Sequence, residues 1–484
     1  MNPRVARVPR VPRVFGLLRL PRAMRIELRR SVAPWAGGVV LTTALAFLYL
    51  LRGTFDQGTT AWTAQWTPMA LWLRSLLFYL WPLAVGLGAL QGLRDHRSKM
   101  SELLTSTPRP ARHRAAALAG TTAAALTSAF ALLVLVGGVQ VLAHTSYTHL
   151  GWLPISLVGA FSLVAGSVLG MGAARALPSV LTPPLVTVGA FALTVLMQLS
   201  WGRTQRDTPM GIPVSEPNRL SLLSPAVQDV RDPFTTLSAV AHLGQTVWLL
   251  GMAVTGFALL VAARRRTRLL AVAPVLAGAA LALLVLPTDP DRLFVVDKTA
   301  AEPVCDGPVC VTRTQQGRLA DVAGPGRKAL SLLHAALGDR APVEVRESAA
   351  VLPEGSMPKW SGRTVPLDFD DAGIVGAKGE DMTVALVGKG LVPGCSPVGW
   401  SGTGGEDVAR TVAAGWVLGD LVSLPQVSEK LRRYVDTEAR PVWKEFRTLP
   451  EAEQRARIDA MRTAALSCEG DALEALRKTG GASR

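Results

Sequence analysis

The sequence predicts an α-helical polytopic membrane protein followed by a soluble domain of mixed α/β structure. Stretches of about 20 predominantly apolar residues, the length that spans a bilayer core, recur up to Pro287. Lys and Arg outnumber Asp and Glu by 26 to 8 before Pro287, but they number 25 against 28 after it. All four cysteines lie after Pro287. The composition therefore divides the chain near this residue.

Seven stretches are long and apolar enough to cross a bilayer. They are residues 33–51, 70–93, 115–143, 153–173, 180–201, 237–263 and 269–287. Arg74 lies inside the second stretch, and we expect its side chain to snorkel outward to water. The seventh stretch is short and rich in Ala. If it lay along the membrane surface instead, the C-terminal domain would be cytoplasmic.

The basic residues predict the orientation of these helices. Of the 26 Lys and Arg residues before Pro287, 20 lie in segments 1–32, 94–114 and 264–268 or at Arg175. Such an excess marks cytoplasmic loops, so the N-terminus is expected inside a bacterial plasma membrane and the C-terminal domain outside it. The same distribution argues against a nucleic-acid partner, which the net charge of +15 would otherwise suggest.

Four parts are expected along the chain. Residues 1–32 form a cytoplasmic basic amphipathic segment, which either lies on the membrane as a helix or is an ordinary basic tail. Residues 33–263 hold six spans, and 264–287 hold a basic loop and the seventh span. Residues 288–484 form the extracytoplasmic α/β domain. No clear cleavage site follows the first span, so an uncleaved helix is favoured over a signal peptide.

Local patterns predict further features of both parts. Gly166 and Gly170 predict close helix packing within the bundle, and the apolar patch at residues 220–227 is expected to dip back towards the membrane or cap the bundle. In the C-terminal domain, alternation predicts strands at 343–347 and 382–387. Helices are predicted there at residues 326–338, 406–423, 426–437 and 450–467.

The cysteines predict disulfides, because an even number is confined to the part placed outside. Three pairings are possible. We favour Cys305–Cys310 with Cys395–Cys468, because a Gly-Pro turn lets the four residues between the first two close a small loop. A zinc half-site is the alternative. It is weaker, since His334 is the only histidine in this domain and the other cysteines are not spaced as a second pair.

The chain lacks the motifs of several enzyme classes. It contains neither GxxxxGK[ST] nor HExxH, and a Ser-His-Asp triad would depend on His334, which lies in a helical pattern. No catalytic residue, cofactor or metal is therefore expected. The spans have no carboxylate, and their interior polar residues are mainly Gln140, Gln198 and Gln245, which we assign to contacts between helices. A bundle without ion-coupling groups is expected to take its energy from a partner.

Residues 94–114 form a basic loop between the second and third spans, with six Lys/Arg against two acids. Met100, Leu103 and Leu104 give its centre an apolar side over one or two helical turns. A short amphipathic element on the cytoplasmic side has the form of a docking site for another protein. The alternative is a generic positively charged loop with an incidental Leu-Leu pair.

Residues 13–263, which include this loop, resemble the membrane subunits of ABC exporters that move drugs, lipids or polysaccharides outward. The resemblance depends on the amphipathic segment before the first span, on Glu102-Leu-Leu-Thr-Ser-Thr-Pro108, on a minimal loop at Arg175 and on a long loop before the sixth span. It implies that the first cytoplasmic loop docks on a separate ATPase subunit. The residues implied in this contact are Glu102, Leu103, Leu104, Thr107 and Pro108.

The resemblance also implies that the permease works as a homodimer or heterodimer in the lipid bilayer and is not itself an enzyme. The family core has six spans, so the seventh span and residues 288–484 depart from it. Because of that departure, a membrane-anchored receptor or assembly factor acting through residues 288–484 is the alternative function. An adjacent ATPase gene would favour the permease.

Overall fold

The computed structural model describes most of the chain, with gaps at both termini and in several loops. Described are residues 32–51, 59–97, 110–145, 147–208, 211, 213–227, 233–289, 292–371, 373–399, 404–426 and 428–477. Long apolar helices occupy the chain up to residue 285, and a region of mixed strands and helices follows.

Six of the described helices are long and apolar enough to cross a membrane, or seven if a bent pair counts as one span. All seven stretches predicted as spans are helical. The helices are α1 Ala33–Leu50, α2 Trp66–Ser75, α3 Leu77–Gly92, the short α4 Arg94–Arg97, α5 Ala111–His144, α6 Trp152–Ala176, α7 Thr182–Val195 with a π-helical turn at Leu196–Ser200, α8 Ala239–Val261, α9 Arg265–Leu270 and α10 Ala273–Val285.

The second stretch is bent rather than straight. Helices α2 and α3 meet at an angle of 50°. Arg74 lies just before this bend and has no exposed surface. The expectation that its side chain snorkels outward is therefore wrong. Carbonyl oxygens inside the bundle bind the guanidinium in place of water.

Helix α6 lies at the centre of the bundle, where it packs against both α3 and α8. Glycines set the distance between these helices. A Cβ atom at Gly88 would lie 2.0 Å from the Ser167 carbonyl oxygen, and one at Gly170 would lie 2.0 Å from the Val85 carbonyl oxygen. Only glycine allows so close an approach. The predicted packing role of the glycines in this helix is confirmed.

The connection between α7 and α8 and the segment after α10 lie at the same end of the bundle. A hairpin follows α7, and residues 220–227 then fold into the bundle as a cap, with Leu222, Leu223 and Val227 buried. This confirms the expectation for the apolar patch. The strands at this end are β1 Arg203–Asp207 and β2 Pro213–Pro217, which form the hairpin, and β3 Thr235–Leu237, which pairs with β4 Phe294–Val296. Since β4 follows α10, the C-terminal region is joined to this same end.

The C-terminal region contains a four-stranded sheet in the order β5-β6-β7-β8. The first two strands form an antiparallel hairpin, and β6, β7 and β8 run parallel. Their bounds are β5 Pro303–Asp306, β6 Val309–Thr312, β7 Glu344–Glu347 and β8 Thr364–Leu367. The three parallel strands end at the same edge of the sheet.

Six helices complete this region around one hydrophobic core that extends from Val309 to Leu476. Helix α11 connects β6 to β7 and packs on β6, while α12 packs on β8. The helices are α11 Leu319–Leu337, α12 Gly379–Leu391, α13 Gly404–Leu418, α14 Glu429–Arg447, α15 Glu451–Ser467 and α16 Ala472–Arg477.

The strand predicted at 343–347 is confirmed as β7, whereas the strand predicted at 382–387 is wrong. Those residues belong to α12, which is buried on all sides from Met382 to Leu391. A helix buried all round shows no clear 3.6-residue period, so its apolar run resembles a strand. The four predicted helices exist, but α11 begins seven residues early at Leu319 and α14 continues through Pro441.

Candidate functional site: an acidic cleft beside the helix bundle

The residues predicted to contact an ATPase lie outside the part of the chain that the structure describes. Glu102, Leu103, Leu104, Thr107 and Pro108 all belong to the gap at residues 98–109. The structure describes the helices on both sides of this gap, α4 and α5.

The four cysteines form two disulfides. Cys305 pairs with Cys310 across the β5–β6 hairpin, and Cys395, after α12, pairs with Cys468 at the end of α15. This is the pairing that the sequence favoured, and it leaves no thiolate for the alternative zinc site. Among the described residues, no group of three or more His, Cys, Asp or Glu side chains is arranged to hold a metal ion.

A cleft of about 620 Å³ opens at the edge of the sheet where β7 and β8 end. Helices α12 and α13 form its other side. Ligands of α/β folds commonly bind in this position, because the loops after parallel strands converge there. The cleft was not predicted from the sequence.

Glu347, the last residue of β7, lies at the base of the cleft and is only 8% exposed. Its Oε2 atom accepts a hydrogen bond of 2.7 Å from the Thr312 backbone N–H. Burial raises the pKa of Glu347 to about 7, and the nearby Asp368 carboxylate adds to this effect. Hydrogen bonding to Thr312 opposes the shift in part, and Arg318, which lies over the ring of Phe369, does so to a smaller extent.

The segment after β8, Leu367-Asp-Phe-Asp-Asp371, supplies three more carboxylates to the cleft. Asp368 accepts a hydrogen bond of 2.8 Å from the Asp370 N–H. The side chain of Asp368 reaches solvent. Many protein groups lie around it and displace part of its hydration, and this desolvation raises its pKa. Asp370 accepts hydrogen bonds from both the N–H and the hydroxyl of Thr59, the latter at 2.6 Å. Thr59 belongs to the connection between α1 and α2, so this carboxylate joins the two parts of the chain.

Two buried cations lie opposite these carboxylates, and both have partners. Lys389 forms an ion pair with Asp371 and donates to the Pro393 carbonyl at 3.0 Å. Arg410 forms an ion pair of 2.6 Å with Asp407 and donates to the Val392 carbonyl at 2.9 Å. Burial beside Arg410 lowers the pKa of Lys389. Burial tends to raise the pKa of Asp371, but the two cations Lys389 and Arg410 outweigh this and lower it.

The remaining wall of the cleft is apolar and aromatic. Trp360 is held in place by a hydrogen bond of 2.7 Å from its Nε1 to the Gly394 carbonyl. Pro233 and Phe234, from the connection before α8, close the side next to the bundle. The cleft therefore combines carboxylates with apolar surface and includes residues from both parts of the chain.

A second polar cluster, which we call the Arg74 clamp, lies inside the bundle. Arg74 donates to the Pro225 carbonyl through Nε at 2.9 Å and Nη2 at 2.8 Å, to the Ile155 carbonyl at 3.3 Å and to Gln245 Oε1 at 3.1 Å. The amide of Gln245 donates to the Leu222 carbonyl, and that of Gln198 donates to the Ala226 carbonyl. These contacts hold the cap at residues 220–227 in the bundle.

The expectation that the glutamines make contacts between helices holds for Gln245, whose Oε1 accepts from Arg74 of α2, although Gln245 and Gln198 also bind the cap. The third, Gln140, donates to the Tyr49 hydroxyl between α5 and α1 at 2.6 Å, as expected. His242, in the first turn of α8, was overlooked as a polar residue of the spans. For the cleft, one signal was present in the sequence: three acids within four residues directly follow the alternating Thr364–Leu367.

Comparisons with protein-family models, with curated proteins and with solved structures gave no match.

Proposed function

We propose that this chain is the membrane-spanning permease subunit of an ATP-driven ABC transporter of the exporter type. The observation that carries the proposal is the basic loop with Glu102-Leu-Leu-Thr-Ser-Thr-Pro108 at its centre, attached between apolar helices. The permease would dock on a separate ATPase through Glu102, Leu103, Leu104, Thr107 and Pro108.

The position of the loop supports this assignment. Helix α5 has 34 residues and is therefore about 51 Å long. Near its C-terminal end, the Tyr147 hydroxyl donates to Asp297 of the C-terminal region at 3.1 Å. The loop joins the opposite end of α5, where Arg268 also donates to the Ala176 carbonyl. A partner bound to the loop would thus have access to the bundle without touching the C-terminal region.

The chemistry of the bundle supports an external source of energy. None of the described apolar helices contains Asp or Glu. Proton- and sodium-driven carriers use such groups to bind the coupling ion. The sequence has no phosphate-binding loop of its own, which is consistent with ATP hydrolysis on a separate subunit.

The proposed topology has a cytoplasmic N-terminus and an extracytoplasmic C-terminal region in a bacterial plasma membrane. The basic residues of α9 and of the loop at 94–114 are then cytoplasmic, as the positive-inside rule requires. Trp66 and Trp152, which stack at 5.2 Å, lie at the other interface, where aromatic residues are enriched. The two disulfides suit an oxidising compartment.

The assembly proposed is a homodimer or heterodimer of permeases in the bilayer. Helices α7 and α10 expose large apolar side chains along their length, including Leu185, Val188 and Leu276. Such faces are complementary to lipid or to a second permease.

Co-purification of this chain with an ABC ATPase subunit expressed in the same cells tests the proposal. Glu102→Arg and Leu104→Asp should each abolish the association and the stimulation of ATP hydrolysis. Asp207→Arg is the matched control, because it makes the same charge reversal at an exposed site at the other end of the bundle. Association that survives both changes in the loop would contradict the coupling assignment.

The second candidate is a membrane-anchored receptor or assembly factor, and the acidic cleft is the observation that favours it. A receptor would need the cleft but no ATPase. A strain that lacks the ATPase subunit found to associate with this chain, yet retains the function of this chain, would favour the receptor over the permease.

A further inference from the structure

The cleft beside the bundle has the size and the mixed lining of a small-molecule site. Sites of this kind occupy about 300–1,000 Å³ and combine apolar walls with a few polar groups. The cleft, at about 620 Å³, falls within this range. Its polar groups determine which ligand it would recognise.

The charges of the cleft exclude an anionic ligand. Its described lining contains six carboxylates against the two cations Lys389 and Arg410. Both cations are already engaged, each by one carboxylate and one carbonyl group. An anion entering the cleft would therefore meet an excess of negative charge, and neither of these two cations would be free to bind it.

Two of the carboxylates are placed to receive a positive charge. Glu347 pairs with Leu367, the last residue of the neighbouring strand β8. Asp368 directly follows Leu367 in the chain, so the two acidic residues lie at the same edge of the sheet. Neither carboxylate forms an ion pair within the described residues. The charge of Arg318 acts on Glu347, but its guanidinium is stacked at 4.0 Å over the ring of Phe369. Burial raises the pKa of each carboxyl group, and the negative charge of neighbouring carboxylates adds to the effect.

The apolar wall completes the complementarity. Trp360, held by its hydrogen bond to Gly394, and Phe234 line the cleft, and aromatic rings attract cations as well as apolar groups. Gln426 also lines the cleft and adds a polar amide to its wall.

We infer that the cleft binds a primary amine or guanidinium compound with an apolar body, whose cationic group lies between Glu347 and Asp368. The assignment goes beyond the proposed function and holds for a permease and for a receptor alike. A divalent metal is a poorer fit, because the described carboxylates form no cluster of three or more potential ligands.

Equilibrium dialysis of the full chain in lipid nanodiscs tests the inference with three probes of similar shape. These are phenethylamine, a cation; 2-phenylethanol, which is neutral; and 3-phenylpropionate, an anion. Empty nanodiscs correct for partition into lipid. Phenethylamine should bind at least about tenfold more tightly than 2-phenylethanol, the equivalent of one charge-assisted hydrogen bond, and 3-phenylpropionate should not bind.

Variants locate the site. Asp368→Asn should weaken phenethylamine binding about tenfold and leave the fold intact, because Asn can still accept the Asp370 N–H. Glu347→Gln should do the same, and it should also flatten the pH dependence. Lowering the pH from about 8 to about 5.5 protonates Glu347, whose pKa is about 7, while the alkyl amine stays charged, so wild-type binding should fall. Glu438→Gln, at an exposed site that does not line the cleft, is the matched control.

Several outcomes would overturn the inference. They are no binding of phenethylamine, equal binding of the neutral or anionic probe, affinity unchanged in both cleft variants, and complete displacement of the amine by millimolar Mg²⁺. Because the assay contains no ATPase, its failure would leave the permease proposal standing, and failure of the coupling test would leave the cleft assignment standing.

Discussion

Replacing Arg74 with Met should release the cap at residues 220–227 from the bundle. The clamp makes four hydrogen bonds to three acceptors, which are the carbonyls of Pro225 and Ile155 and the side chain of Gln245. The Ile155 carbonyl lies in the first turn of α6 and has a partner in the helical ladder. Arg74→Met therefore leaves two buried acceptors without donors.

Each orphaned acceptor costs about 1–3 kcal/mol, so the variant should lose about 3 kcal/mol of cap stability. The value lies at the low end of the combined range because removing a buried charge that lacks a carboxylate partner also relieves a desolvation cost. Arg74→Gln, which can donate to one of the two acceptors, should lose about half as much. In Arg74→Met/Gln245→Leu, the loss should be smaller than the sum of the two single losses, because they share an acceptor.

Thiol labelling measures this local effect. All four native cysteines are in disulfides, so Ala226→Cys, at a site that is 3% exposed, introduces a single reactive thiol in the cap. A loss of about 3 kcal/mol raises the open population about 100-fold, and the labelling rate should rise with it when Arg74→Met is added. Equal labelling rates in the Ala226→Cys chain with and without Arg74→Met would refute the reasoning, since the hydrogen bonds would then contribute nothing to closure.

Three further predictions concern stability. Glu347 has a pKa of about 7 in the folded chain against an ordinary value of 4.5. The free energy of unfolding should therefore fall by up to about 3 kcal/mol as pH rises from 4.5 to about 7. Urea unfolding of Glu347→Gln, measured below and above this pH range, should lack that fall. Gly170→Leu should prevent α3 and α6 from packing and abolish the folded fraction in detergent, whereas Gly189→Leu, at a site with open space, should not. Replacing Cys395 and Cys468 with Ser should cost about 4 kcal/mol, because this disulfide links residues 73 apart, and should lower the Tm far more than loss of the short Cys305–Cys310 link.

The helices of the bundle could be predicted because hydropathy and length determine them. The burial of Arg74 and its hydrogen bonds inside the bundle could not be predicted, because a single charged residue in an apolar stretch is equally consistent with a side chain that extends to water. Its burial depends on the Pro225 carbonyl, which lies 151 residues away in the sequence. Local patterns contain no information about such a contact.

The C-terminal region shows a similar division. The strand β7 and the disulfide pairing followed from alternation and from the short spacing of Cys305 and Cys310. The cleft did not, because its two cations lie on helices whose contacts were unknown, and α12 was mistaken in part for a strand. A buried Lys389 is recognisable only once Asp371, 18 residues earlier, is placed beside it.

A short segment of chain, from Phe234 to Gln245, connects the cleft to the Arg74 clamp, so a displacement at one site can reach the other. Phe234 lines the cleft, and β3 begins at the next residue, pairs with β4 and ends one residue before Ser238, the N-cap of α8. Gln245 of the clamp lies two turns further along that helix. Because a paired strand and a capped helix transmit displacement as stiff elements, a ligand that moves Phe234 acts on the same helix that holds the cap. Thiol labelling of the Ala226→Cys variant should therefore change in rate when phenethylamine occupies the cleft, and an unchanged rate would show that the two sites act independently.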